Sequence, residues 1–220
     1  EVLDYGELLK ETKQPSPTIA DVAVLLAKKQ RVKTFVVGAD FPLGLARRLE
    51  AKGLSLKIGE NLFPERAIKS TREAEFICQA NELNSRCFYE VEKLLRASRP
   101  RGGFLVYKDR KLTSELLHAR IQAICLEHGA SARGTIVAGG DQACDPHEEG
   151  FGPLRANELI VVDIFPRGKD GYFGDMTRTY LKGRASEAQQ ALVDTVLTAQ
   201  KKAIRALKAG LDELYRLEQS

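Results

Sequence analysis

No run of apolar residues in this chain approaches the roughly 18 needed to span a bilayer, which argues against a membrane partner. The first residues, EVLDYGELLKETKQ, carry neither a basic start nor an apolar block, so no export signal is predicted there. Charge of one sign is also lacking. The 34 basic residues are balanced by 30 acidic ones, the net charge is +4, and no dense basic cluster stands out. Nucleic-acid binding is thereby disfavoured. No CxxC pair exists among Cys78, Cys87, Cys125 and Cys144, so a cysteine metal site and a disulfide are disfavoured. The four read as reduced core thiols, which suits the cytoplasm. The stretch from Gly38 to Gly44 lacks GxGxxG spacing and reads as a tight strand-to-helix turn rather than a nucleotide loop. Histidine is scarce: only His118, His128 and His147 occur.

What is present is ordinary in bulk and informative in pattern. With 43% hydrophobic and 29% charged residues, the composition is that of a globular protein. The length of 220 residues accommodates one large domain, or one domain with part of another. Residues 18–30 read as a helix, KTFVVG (33–38) as an apolar strand, 41–53 as a helix closed by Gly53, and LSLKIG (54–59) as a second strand. Strand, helix and strand in that order predict a right-handed crossover with parallel strands. A linker carrying Pro64 follows, over 60–68. Ser70 and Glu73 then form a capping box for a long helix, 71–97. Its apolar positions, Phe76, Ile77, Ala80, Leu83, Cys87, Phe88, Val91 and Leu94, have helical period. A further helix over 114–128, a strand at GTIVAGG (134–140) and a polar loop at 141–154 complete the approach to the most telling segment.

That segment is ELIVVDIFPRGKDGYFGDMTRTYLK, 158–182. Leu159 to Ile164 are rich in β-branched side chains, Gly168 to Gly171 supply turn chemistry, and Tyr172 to Leu181 resume a strand-like run. A hairpin centred on Lys169 places Asp163 opposite Asp175 on one face. Two such carboxylates repel and need a metal ion, a shared proton or a nearby cation to coexist. As plain strand residues they would be exposed, and acids are disfavoured in buried strands. Thr177 falls on the same strand face as Asp175, Arg178 on the other, where it reads as a salt-bridge residue, and Tyr172 reads as packing. His118 and His128, on a helix and near its C-terminus, read as structural, the latter favoured by the helix dipole.

In order along the chain, Asp163, Gly171, Tyr172, Asp175, Thr177, Arg178 and Thr179 resemble the metal-binding signature of the pita-bread (M24-type) metallopeptidases. VVDIFPR (161–167) and the α/β segment before it look closest to Xaa-Pro aminopeptidases and prolidases. The gap between the two aspartates is one residue longer than the usual family spacing, which a longer turn or a β-bulge could absorb. The resemblance implies an α+β pita-bread fold. Residues 1–65 would be the C-terminal part of an α/β creatinase-like N-terminal domain. Residues 66–220 would be the first half and the start of the second half of the metallopeptidase domain.

The same resemblance implies metal-dependent hydrolysis of Xaa-Pro peptide bonds, with a proline-containing peptide or dipeptide as substrate and a homodimer as the intact form. It implies two divalent metal ions, Mn²⁺ first and Co²⁺, Fe²⁺ or Zn²⁺ after it. Asp163 would hold one ion, Asp175 would bridge both, and Thr177 would support a ligand carboxylate from behind. His147, on the loop before the hairpin, would contact the substrate; the alternative is a solvated loop histidine beside Glu148 and Glu149. The family takes a further histidine and two glutamates from beyond the second long helix, and all three histidines here precede the hairpin. The expectation is therefore a chain truncated at both ends, holding part of the metal site and inactive alone. A weak internal repeat accords with this: a shift of 116 residues lays Phe76 on Leu192, Cys87 on Ala203 and Val91 on Leu207, and SELL (114–117) loosely resembles DELY (212–215). The competing reading is a non-catalytic pita-bread peptide- or protein-binding module. A creatinase-like enzyme working without metal is disfavoured by the paired aspartates.

Overall fold

Reciprocal capping sets the starts of the two long helices. Ser70 N–H donates to Glu73 Oε2 at 2.8 Å and Glu73 N–H returns a bond to Ser70 Oγ at 3.3 Å. Ser186 and Gln189 repeat the arrangement at 2.8 and 3.2 Å. Each pair satisfies two backbone donors that a helix start leaves without partners. The computed structural model describes residues 3–207, and the chain divides between Lys69 and Ser70 into two units.

The first unit contains helices α1 (Tyr5–Glu11) and α2 (Ile19–Lys29), strand β1 (Thr34–Val37), helix α3 (Leu43–Ala51) and strand β2 (Ser55–Ile58). β1 and β2 pair in parallel, Thr34 opposite Ser55 through Val37 opposite Ile58, which is the parallel pairing that the sequence pattern predicts. Ala20, Ala27, Leu49 and Leu54 form its small buried core. Lys52 bridges to Asp21 at 2.8 Å and holds that carboxyl well below its ordinary range. Helix α1 is an element that the sequence pattern does not disclose.

The second unit opens with helix α4 (Thr71–Ala97). A meander of β3 (Arg99–Arg101), β4 (Phe104–Tyr107) and β5 (Arg110–Lys111) follows, then helix α5 (Ser114–Glu127). The meander is a second element outside the expectations. Its two turns, Gly102–Gly103 and Lys108–Asp109, have positive φ at both central residues, the type I′ geometry that suits a two-residue hairpin loop. The Gly-Gly pair was the available signal. Strands β6 (Ile136–Gly139), β7 (Leu159–Ile164) and β8 (Met176–Leu181) make an antiparallel sheet in the order β6-β7-β8, and helix α6 (Glu187–Ala206) ends the described chain.

Strict alternation along β7 decides which face of the sheet is sealed. Ile160, Val162 and Ile164 are fully buried and share one core with Cys87, Phe88 and Val91 of α4 and Leu117, Ile121 and Cys125 of α5. Successive strand side chains point to opposite faces, so Val161 and Asp163 project from the other one. On the sealed face Tyr180 bonds Glu92 at 3.2 Å, and burial together with that carboxylate pushes its phenol up to about 12. Arg178 lies 5.8 Å from the Phe88 ring centroid, a cation–π contact where a salt bridge was expected.

The cysteine expectation needs correction. Cys87 and Cys125 are buried with sulfurs 3.8 Å apart, and the neighbouring sulfur and burial hold Cys87 as a thiol, but Cys78 and Cys144 are exposed. Cys78 lies off the stripe formed by Ala80, Leu83 and Cys87, so helical geometry turns it outward. The repeat is likewise only partial. Helix α6 reproduces the cap of α4, yet it buries no residue, and Leu192, Val193, Val196, Leu197 and Ile204 are exposed. DELY (212–215) lies outside the described residues.

Candidate metal centre

The loop between β7 and β8 fixes which residues meet across the hairpin. Gly171 N–H donates to Gly168 O at 2.9 Å and Gly168 N–H donates to Tyr172 O at 2.8 Å. With Gly171 at φ +86° this is a three-residue loop of Lys169, Asp170 and Gly171, closed by a glycine bulge. The hairpin therefore centres on Asp170, not Lys169. Asp163 pairs with Thr177, and Ile164 with Met176. The expected opposition of Asp163 and Asp175 is corrected by two positions. A shift of two preserves the face, so Asp175 is the diagonal neighbour of Asp163, at a typical Cα spacing of about 7–8 Å.

The pairing brings Thr177 onto Asp163 directly. Thr177 Oγ1 donates to Asp163 Oδ1 at 2.5 Å. Asp163 is half-buried, while Asp175 and Thr177 are exposed. The face thus presents two carboxylates and a hydroxyl to solvent, backed by the apolar layer of Ile160, Val162 and Ile164. Oxygen donors of this kind suit a hard divalent cation. Among the described residues, no group of three or more His, Cys, Asp or Glu side chains is placed to hold a metal ion. The donor set fits a metal as two ligands of a larger shell.

His147 makes no hydrogen bond to these three among the described residues. It is exposed, its backbone N–H donates to Asp145 Oδ1 at 2.9 Å, and its ring makes no hydrogen bond among the described residues. Its loop leaves β6 through a short 3₁₀ turn, Gly140–Cys144, and returns to β6 where Val137 N–H donates to Glu149 O at 2.8 Å. Ile136 of β6 is the other neighbour of Asp163. Gly150 makes the return possible. A Cβ there would lie 2.0 Å from Val137 O, and φ is +84°. Gly150→Ala is expected to destabilise the fold by ~3 kcal/mol or more, combining left-handed strain with loss of the Val137–Glu149 bond. Chemical denaturation measures this, and a midpoint within error of wild type would contradict it. The other histidines have local partners or none: His128 Nδ1 lies 2.9 Å from Ile124 O at the end of α5, and His118 Nε2 is buried without a hydrogen bond among the described residues.

The sequence pattern does not disclose the support behind Asp175. Its backbone N–H donates to Asn81 Oδ1 of α4 at 3.1 Å. No local signal marks Asn81, because the two residues are far apart in the chain.

Comparison with known proteins adds three findings. A sequence profile described as metallopeptidase family M24 matches residues 75–218. The chain is 24% identical over 216 residues to an Xaa-Pro dipeptidase of Pyrococcus horikoshii, covering 95% of this chain and 57% of that protein. It is 30% identical over 161 residues to an Xaa-Pro aminopeptidase of Haemophilus influenzae, covering 70% of this chain and 35% of that protein. Among solved structures, the X-Pro aminopeptidase of Thermotoga maritima superposes with a TM-score of 0.72 at 24% identity, over 90% of this chain and 54% of that one. At that identity the superposition establishes the fold, which is the pita-bread architecture. The chain spans about half the length of the structure it matches, and 57% or less of the two curated relatives.

Proposed function

The chain belongs to metallopeptidase family M24, and on that premise we propose that the whole protein hydrolyses Xaa-Pro peptide bonds with two divalent metal ions, Mn²⁺ foremost. The observation that carries this reading is the open hairpin face. Asp163 and Asp175 share it, the Thr177 hydroxyl binds Asp163 at 2.5 Å, and the opposite face is sealed in the core. The names of the two relatives support the substrate class.

Asp163 would hold one metal ion and Asp175 would reach both. Bound there, divalent ions supply an acidified water and a polarised scissile carbonyl. Thr177 occupies one lone pair of Asp163 Oδ1 and so limits the orientations open to that carboxylate, as outer partners of metal ligands generally do. His147 would donate its ring N–H to the substrate oxygen as negative charge grows on it. Residues 1–65 would act as an α/β N-terminal domain and 66–220 as part of the metallopeptidase domain, with a homodimer as the working form. The exposed thiols Cys78 and Cys144, together with the buried thiol pair Cys87 and Cys125, suit a reducing cytoplasm.

The test is hydrolysis of an Xaa-Pro dipeptide by the whole protein, before and after chelation and with Mn²⁺ restored. Turnover should vanish on chelation and return with Mn²⁺. A protein that stays inactive with Mn²⁺, or that turns over unchanged in chelator, rules the reading out. Residues 1–220 alone are expected to bind Mn²⁺ weakly and to show no turnover, since two carboxylates leave most coordination positions to water. Turnover by this chain near that of the whole protein would mean that it carries a sufficient ligand set.

A further inference from the structure

Asp175 sits where the hairpin leaves a backbone donor unused. The bonds from Gly174 N–H to Pro166 O at 3.0 Å and from Gly168 N–H to Tyr172 O at 2.8 Å place the even-numbered residues in the hydrogen-bonded pairs. Neighbouring odd positions are the non-bonded pairs of an antiparallel ladder, so their N–H groups point away from the partner strand. Among the described residues β8 lies at the edge of the sheet. The amide of Asp175 thus faces outward, where an edge donor ordinarily meets water or an intruding strand. Here it meets Asn81.

The geometry around that bond is closely specified. Asn81 Nδ2 donates to Ile77 O at 3.2 Å, which fixes the amide plane and leaves Oδ1 to accept from Asp175 at 3.1 Å. Asn84 Nδ2 approaches the same oxygen at 3.5 Å. The backbones touch beside it. A Cβ on Gly174 would lie 2.6 Å from the carbonyl carbon and oxygen of Ala80 and 2.9 Å from Asn81 N. Nearer the start of α4, the Tyr172 hydroxyl donates to Glu73 Oε1 at 2.7 Å and its ring lies 5.5 Å from Phe76. The segment Tyr172–Asp175 is therefore docked along one face of α4, and its last contact is the backbone of Asp175.

We propose that Asn81 is a positioning residue for the candidate metal centre, holding the backbone of Asp175 so that its carboxylate stands beside Asp163. The inference rests on the reading that Asp175 is a metal ligand. Asparagine is suited because it accepts from the strand at one end and donates to the helix at the other. Leucine at this position would leave the Asp175 amide without its partner. Aspartate would still accept from that amide, but it would face the Ile77 carbonyl without a proton and add a negative charge beside Asp175.

The experiment compares wild type, Asn81→Leu and Asp175→Asn in the whole protein. The readouts are hydrogen exchange at the Asp175 amide and Mn²⁺ affinity by calorimetry, with exchange at Ile160 and Val162 as a control for the fold. Asn81→Leu should speed exchange at Asp175 by about tenfold or more and weaken Mn²⁺ binding ~10–100-fold, the usual cost of losing an outer-sphere partner. The β7 amides should be unaffected. Should Asn81→Leu also expose the β7 amides, Asn81→Ser replaces it, since it removes the long amide side chain without adding apolar bulk. Unchanged Asp175 exchange and Mn²⁺ affinity in the variant that folds overturn the positioning role. Wild-type Mn²⁺ affinity in Asp175→Asn instead overturns the ligand assignment, so the two failures are distinguishable.

Discussion

Asp175→Asn in the whole protein is expected to lose most of its bound metal and to lower turnover of an Xaa-Pro substrate by ~10³-fold or more. Metal stabilisation of transition-state charge is worth several kcal/mol, and each ~1.4 kcal/mol is tenfold in rate. A neutral amide is a poor bridging ligand, so the substitution removes charge where charge is needed. The fold should be indifferent to it. The Asp175 side chain is exposed, and the contact that ties this residue to α4 is made by its backbone N–H, which the asparagine variant retains. Thermal stability of the metal-free protein should stay within about 0.5 kcal/mol of wild type, as for surface substitutions in general. Elemental analysis and single-substrate kinetics check the first part, and calorimetric melting of the apo form checks the second. Full metal occupancy with normal turnover would exclude Asp175 from the centre.

His147→Ala is expected to lower kcat by ~10²–10³ while leaving metal content unchanged, the size of effect seen when one oxyanion donor is removed. Its ring makes no hydrogen bond among the described residues, and the Asx-type turn beneath it uses the Asp145 side chain and the His147 backbone, which alanine keeps. A folding defect is thus not expected to complicate the comparison. Metal content falling in step with activity would move His147 from the substrate to the ligand set. Gly150→Ala offers a contrast. It should disturb the same loop through stability, because its Cβ would collide with the β6 backbone.

Much of the fold was legible wherever structure follows from neighbouring residues. The Ser70–Glu73 and Ser186–Gln189 boxes fix helix starts within one turn, so four residues suffice to read them. The apolar period of α4 correctly marks Leu83, Cys87, Phe88 and Val91 as core, because one helical stripe must be buried together. The Gly102–Gly103 turn could have been read in the same way.

The candidate site divides along the same line. The sequence by itself determined that Asp163, Asp175 and Thr177 share a face, because strand side chains alternate with period two and any register of the right parity preserves the set. It also determined the family, through residues in a fixed order. That Thr177, and not Asp175, lies directly opposite Asp163 came from the folded chain, where the positive φ of Gly171 fixes Asp170 as the centre of the three-residue loop. Tertiary packing left Cys144 outside the core and brought Asn81 to the amide of Asp175, whereas the outward turn of Cys78 follows from the helical stripe of its neighbours. The Asn81 contact depends on which segment of the chain is laid along α4. Packing between distant segments settles that, and it leaves no mark in the local pattern of residues.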